Sequence, residues 1–223
     1  MSPSPRPSDS HADTATQAVG TRAGAAASAA SGATRRRGDA LTRAVYLAAL
    51  EELALTSFEE LAFDKIAQRA GTGKSALYRR WSTPEELVLA ALTDSAVGFG
   101  QPATPDTGTL RGDLTALLGS FARVLDEPRG RALRPLMSQR LRHPELFDQV
   151  HHLVVQPQQR IMLDVLQRAA DRGEADPGRV TPRVASVGPR MIVIESMQKG
   201  TVDLTEVEAI ISEVLLPLAA APR

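Results

Sequence analysis

Apolar residues along this chain recur at helical intervals, and nowhere do they alternate as in a strand. Leu41, Val45, Ala48, Ala49 and Leu53 predict an amphipathic helix over about Asp39 to Leu55. Phe63, Ile66, Ala67 and Ala70 fall at i, i+3, i+4 and i+7, one face of a second helix. Gly71-Thr72-Gly73 interrupts it, and Gly71 can take the left-handed conformation that ends a helix. In Lys74–Trp81, the residues Ala76, Leu77 and Trp81 can face inward. Lys74, Ser75, Tyr78, Arg79 and Arg80 are left to point outward. Thr83-Pro84-Glu85-Glu86 is a helix start: threonine caps, proline takes the first helical position, and Glu86 can close a capping box. That helix is predicted over Pro84–Val97.

The remainder also reads as helical, so the fold class expected is all-α. A loop rich in Gly, Pro and Thr spans Gly98–Gly108. Leu110, Leu114, Leu117, Leu118, Phe121 and Leu125 form one stripe, and a shorter helix is expected over Arg131–Leu141. Pro144 opens a helical stretch to about Arg172, which Pro157 must kink or break. Gly173 ends it, Asp176–Thr181 is a loop, and Pro182 begins the next helix. Met191-Ile192-Val193-Ile194 is apolar on every side of that helix, which requires cover on both faces. Thr205-Glu206-Val207-Glu208 reads as a capping box before a stripe of Val207, Ile210, Ile211, Val214, Leu215 and Leu218. The first segment, residues 1–34, is Ala, Ser, Thr, Pro and Gly with few large apolar groups, and it is expected to be a disordered tail.

Two short helices joined by a tight glycine turn, the second basic, describe a helix-turn-helix over about residues 62–81. An ordinary αα-corner with a solvated basic face has the same pattern. Taken with its flanks, the segment resembles the TetR family of bacterial repressors over roughly Asp39–Phe99. The residues that carry the resemblance are Val45, Ala48-Ala49-Leu50, Leu53, Phe58, Ile66-Ala67, Ala70-Gly71, Lys74, Leu77-Tyr78, Arg80-Trp81 and Glu86-Leu87-Val88. The chain departs from the family pattern at Ser57, where a turn glycine is usual, and at Gly73, where a serine cap is frequent. It departs again at Ala62, where a threonine or serine normally caps, so that cap must come from elsewhere, with Asp64 the candidate. Pro84 stands where a lysine usually touches a phosphate, which puts that contact in question.

The resemblance implies a three-helix DNA-binding domain at 35–99 and a helical ligand-binding and dimerisation domain at 100–223. It implies DNA contacts from Thr72, Lys74, Ser75, Ala76, Tyr78, Arg79 and Arg80. Tyr78 and Lys74 would contact phosphate; Ser75, Ala76 and Arg79 would face base edges; Arg80 suits either role. Arg35-Arg36-Arg37 would be an arm on phosphate or in the minor groove, or else a solvated tail. It further implies a four-helix dimer interface through Met191, Ile194, Val207, Ile211, Val214 and Leu218, although both helices could pack inside one monomer. A ligand pocket would lie in the body, with Phe99, Phe121, Met137, Phe147, Met162 and Met191 as apolar candidates and His151, Gln156 and Glu195 as polar ones.

Composition narrows the chemistry. The 223 residues contain no cysteine, which excludes disulfides, thiolate metal sites and cysteine nucleophiles. The four histidines include the adjacent pair His151-His152, whose side chains diverge by about 100° on a helix and cannot share one metal. No phosphate loop follows a strand. No enzyme activity, cofactor or metal is therefore expected. Basic and acidic residues balance at 26 each, but Thr34–Thr83 carries nine Lys/Arg against six Asp/Glu. A basic module on an acidic body suits one face against a polyanion. No apolar run approaches the ~20 residues that span a bilayer, and no secretory signal is visible, so no membrane partner is expected. The protein expected is a cytoplasmic, homodimeric repressor, nucleoid-associated when bound to a palindromic operator in double-stranded DNA and released by an unknown small-molecule effector. The alternative is an effector-independent architectural or partner-recruiting DNA-binding factor.

Overall fold

Residues 38–55 form α1 in the computed structural model, which describes Met1, residues 38–100 and residues 104–220. Arg35, Arg36 and Arg37, with the segment before them, lie outside the described residues. Every regular element among those described is helical. After a 3-10 turn at Phe58–Glu60 come α2 (Phe63–Arg69), α3 (Lys74–Tyr78), α4 (Pro84–Thr93), α5 (Leu110–Asp126) and α6 (Pro128–Met137). Then follow α7 (Pro144–Val150), α8 (Gln156–Asp171), α9 (Pro182–Lys199), α10 (Leu204–Ala209) and α11 (Leu216–Ala219). The chain divides into two units, Met1–Thr42 and Arg43–Arg223. In the first, the Thr42 hydroxyl donates to the Gly38 carbonyl at 2.8 Å.

Several helix ends differ from their expected places, each for a local reason. α4 stops at Thr93, short of Val97, because the Asp94 carboxylate accepts from the N–H groups of Ala96 and Val97, both at 2.9 Å. The chain then folds back so closely that a β-carbon at Gly98 would collide with the carbonyl oxygens of Ala91 and Leu92. α6 starts at Pro128, three residues before its expected start, with proline at its first position. Pro157 does not break its helix. The helix widens instead into a π-helical turn, His151–Val155, between α7 and α8. The last helix repeats the device: a π-helical turn at Ile210–Leu215 precedes Pro217. That helix also begins earlier than Thr205, because the Asp203 side chain accepts from Glu206 N–H and is the cap.

Two apolar cores organise the second unit. In the first, Leu50 and Leu53 of α1, Ile66 of α2, Leu77 of α3 and Leu87 and Leu92 of α4 are fully buried. Ala132 and Leu136 of α6, Val150 of α7 and Val154 of the π-turn complete it. The second joins Leu114 and Leu118 of α5, Met162 and Val165 of α8, Ile192 of α9, and Val207, Ile211 and Leu215 of the last helix. Each such leucine or isoleucine contributes about 1.5–3 kcal/mol by leaving water. The loop before α5 is tied to the end of α8. The buried Asp113 carboxylate accepts from Thr107 N–H at 2.6 Å, the Thr107 hydroxyl at 2.9 Å and Arg172 at 3.3 Å. Glu174 accepts from Leu110 N–H at 2.6 Å.

One expectation about the last helices needs correction. Val207 and Ile211 are 0 % exposed inside this one chain, so they are core residues and not surface for a partner. The run 191–194 is covered on one side only: Ile192 is buried, whereas Val193 and Ile194 are 36 % and 51 % exposed.

Candidate nucleic-acid interface

The helix-turn-helix is built from backbone chemistry outward. Gly71 has φ 64°, which lets α2 end in a Schellman motif: Thr72 N–H donates to Ala67 C=O at 3.0 Å and Gly71 N–H to Gln68 C=O at 3.2 Å. α3 follows at once from Gly73, which caps without a side chain. Its helical bonding persists beyond Tyr78, since Arg80 and Trp81 N–H both donate to Leu77 C=O. Leu77 is 1 % and Trp81 7 % exposed, and both anchor the element in the first core. The Trp81 ring lies 5.8 Å from that of Tyr46.

Anchoring that side turns the opposite one to solvent. Lys74, Ser75, Tyr78, Arg79 and Arg80 are exposed, and Thr72 and Ala76 are half-buried. The Tyr78 ring is held edge-on by Phe63 of α2 at 4.7 Å. Lys74 Nζ pairs with Asp64 Oδ1 at 2.5 Å and lies 5.8 Å above the Tyr78 ring. The Asp64 hydrogen bond raises the Lys74 pKa, so the ammonium stays charged at neutral pH. Asp64 is thus engaged by Lys74, and the cap residue of α2, Ala62, makes no side-chain cap hydrogen bond. Arg80 stacks over Trp81 at 5.5 Å.

Two other basic residues of the module, Lys65 and Arg69, are ion-paired. The buried Glu52 of α1 accepts from Arg69 at 2.9 and 3.2 Å and sits 3.8 Å from Lys65. This ties α2 to α1 and takes both cations out of the free charge. At the start of α4, Thr83 accepts from Glu86 N–H at 3.2 Å, and Glu86 accepts from Ser82 N–H at 2.7 Å. The reciprocal cap is present, although the carboxylate reaches one residue beyond the capping threonine. Sequence periodicity marked the outward face but not the pairs Lys74–Asp64 and Phe63–Tyr78, because these cross the turn and have no helical spacing.

The nine pocket candidates do not converge. Met162 is 1 % exposed in the second core, Phe121 and Met191 pack at that core's edge, and Phe99 packs against the first. Met137 is 45 % exposed. Phe147 stacks with His151 at 6.2 Å. Gln156 is hydrogen-bonded to His152 at 3.0 Å, and Glu195 pairs with Lys199 at 2.8 Å. A cleft of about 760 Å3 lies elsewhere, lined by Gln159 of α8 and by Thr181, Pro182, Arg183, Ser186 and Arg190 at the start of α9. None of the nine lines it. Of the interface candidates, Ile194 and Leu218 are exposed, Met191 and Val214 are half-buried, and Val207 and Ile211 are interior.

Comparison with known proteins places this geometry. Residues 46–91 match the family model for bacterial regulatory proteins of the tetR family, and residues 104–214 match that for the tetracyclin repressor-like C-terminal domain. An uncharacterized HTH-type transcriptional regulator of Mycobacterium tuberculosis is 30% identical over 162 residues, 72% of this chain and 78% of that one. The DNA-binding transcriptional repressor TetR of Mycobacteroides abscessus is 29% identical over 183 residues, 82% of this chain and 95% of its own length. The crystal structure of a TetR family transcription regulator superposes with a TM-score of 0.55 at 28% identity, covering 81% of this chain and 99% of that one. No helix among the described residues is long and apolar enough to cross a membrane. The open alternative of a solvated αα-corner is thereby closed, and this chain belongs to the TetR family: it is a DNA-binding regulator of transcription and not an enzyme.

Proposed function

We propose that the protein is a repressor that binds a palindromic operator as a homodimer and is released by a small molecule bound in its C-terminal body. The observation that carries the DNA-facing part is the α3 surface. Leu77 and Trp81 hold one side in the core, which leaves Lys74, Ser75, Tyr78 and Arg79 as one solvent-facing set. Lys74 and Tyr78 are the phosphate contacts. Ser75, Arg79 and the half-buried Ala76 read base edges, Ala76 against a thymine methyl and Arg79 against guanine. Thr72 and Arg80 flank this set, and Arg35-Arg36-Arg37 add a basic arm.

The dimer reading is supported by apolar surface that one chain leaves uncovered: Ile194 at 51 %, Met197 at 64 % and Leu218 at 37 % exposure. A single helix-turn-helix reads few bases, so a two-fold dimer over two half-sites about one turn apart is the working unit. The sense of regulation is supported by the Mycobacteroides abscessus relative, which is named a repressor. Effector-independent action is the second reading, favoured by the packing of Met162, Phe121 and Met191 at one core and of Phe99 at the other, with none of the nine candidates lining the cleft.

Arg79→Ala tests the assignment. It should cost about 1–3 kcal/mol on the operator and relax preference at one position per half-site. Equal loss on operator and on random DNA would make Arg79 a phosphate contact instead. Footprinting the chain's own upstream region should reveal a protected palindrome.

A further inference from the structure

The cleft between α8 and the first turns of α9 has no part in the DNA-facing surface. Its volume of about 760 Å3 lies in the range of small-molecule sites, ~300–1,000 Å3. Among its lining residues are two arginines, two hydroxyls and an amide. Arg183 and Arg190 stand seven residues apart on one face of α9, about 10 Å along the helix axis. Neither guanidinium has an ion pair or side-chain hydrogen bond among the described residues. Elsewhere in the same body, Arg111, Arg129, Arg168 and Arg172 are each paired with a carboxylate. The Thr181 hydroxyl accepts from Val184 N–H at 3.2 Å, so its own hydrogen remains available to donate into the cleft. Gln159 offers amide donors from the α8 side.

We propose that this cleft binds a small organic anion carrying two acidic groups, carboxylate or phosphate, one on each of Arg183 and Arg190. Arginine suits both groups, because its planar fork makes two parallel charge-assisted hydrogen bonds to either. Thr181 and Gln159 orient the ligand between the two charges. The apolar candidates Met162 and Phe121 have no role in this site. The inference does not depend on the DNA-binding reading, since it concerns direct uptake of an anion.

Calorimetric titration of the full chain with citrate and with inorganic pyrophosphate, at fixed ionic strength, tests it. At least one should saturate at millimolar concentration or below, while acetate, with a single charge, binds more weakly. Citrate alone would mark a carboxylate site and pyrophosphate alone a phosphate site. Arg183→Gln with Arg190→Gln should weaken binding about tenfold or more, and the double lysine variant should retain a measurable part, because it keeps the charge and loses only the fork. The basic α3 face is common to all variants, so equal binding by wild type and the glutamine variant would place the anion there and overturn the proposal. No uptake of either probe by wild type would also overturn it. So would a glutamine variant that changes its association state in sedimentation, since the two arginines would then serve a contact between copies.

Discussion

Lys74 is held by one residue and offered to another. Its ammonium rests on Asp64, yet both side chains are at least half exposed, so the pair costs little to break. A phosphate must displace Asp64 to take Lys74. Asp64→Asn removes that competitor together with a negative charge on the DNA-facing side. Affinity should rise by a few-fold for operator and random DNA alike. Fluorescence anisotropy at two salt concentrations reads this, and unchanged affinity would place Lys74 away from the backbone. At this scale the sequence was readable on one side only. Helical periodicity told that Leu77 and Trp81 turn inward, because a five-residue helix anchored by Leu77 has a single way to face its core, whereas Ala76, also read as inward, is only half-buried. It did not tell that Asp64 and Phe63 meet Lys74 and Tyr78, because those contacts are made by the turn's geometry.

At the level of elements, short-range chemistry set most boundaries. Thr83, Thr109 and Thr181 each accept a hydrogen bond from the N–H three residues on, and each precedes a helix start. Thr83→Ala should lower stability by about 1 kcal/mol in urea unfolding, with no change in helical content. A larger loss would show that the Thr83 hydroxyl also bears on the packing of Trp81 in the first core. The prolines were harder to read. A proline inside a helix lacks a donor and crowds the carbonyl four residues before it. Shifting the preceding turn to π register relieves that crowding without ending the helix. The chain does so before both Pro157 and Pro217, and only a body that packs both flanks, as the first core does with Val150 and Val154, makes widening preferable to a break.

For the whole molecule, two properties can be checked. Burial alone would raise the Asp113 carboxyl, but hydrogen bonds from Thr107 N–H and hydroxyl and from Arg172 outweigh it and hold its pKa below the usual range. A carboxyl depressed in the folded state stabilises at neutral pH, and that contribution is lost as pH falls through the folded value. Asp113→Asn should therefore unfold at lower urea than wild type at pH 7, and the gap should narrow once pH drops below about 4. A gap independent of pH would assign the loss to packing. The second property is association. Ile194→Arg with Leu218→Arg should give a folded monomer by sedimentation velocity and circular dichroism, while wild type is expected to sediment as a dimer. Ile211→Arg cannot serve that purpose, since it would place a charge in the second core and unfold the chain.

By itself the sequence determined the helical class, the helix-turn-helix with its outward basic face, and the family, because period, caps and turn glycines act between residues close in the chain. Tertiary structure alone decided which apolar stripe is core and which is surface. Val207, Ile211 and Ile194 are equally apolar in sequence, yet the first two fill the space between α5 and α9 while the third is left outside. It also decided that the pocket candidates line no common cavity, with Phe121, Met162 and Met191 at the second core and Phe99 against the first, and that Gln159 of α8 shares a cleft with Arg183 and Arg190 of α9. Burial and concavity depend on how distant helices dock, and no local pattern carries that information.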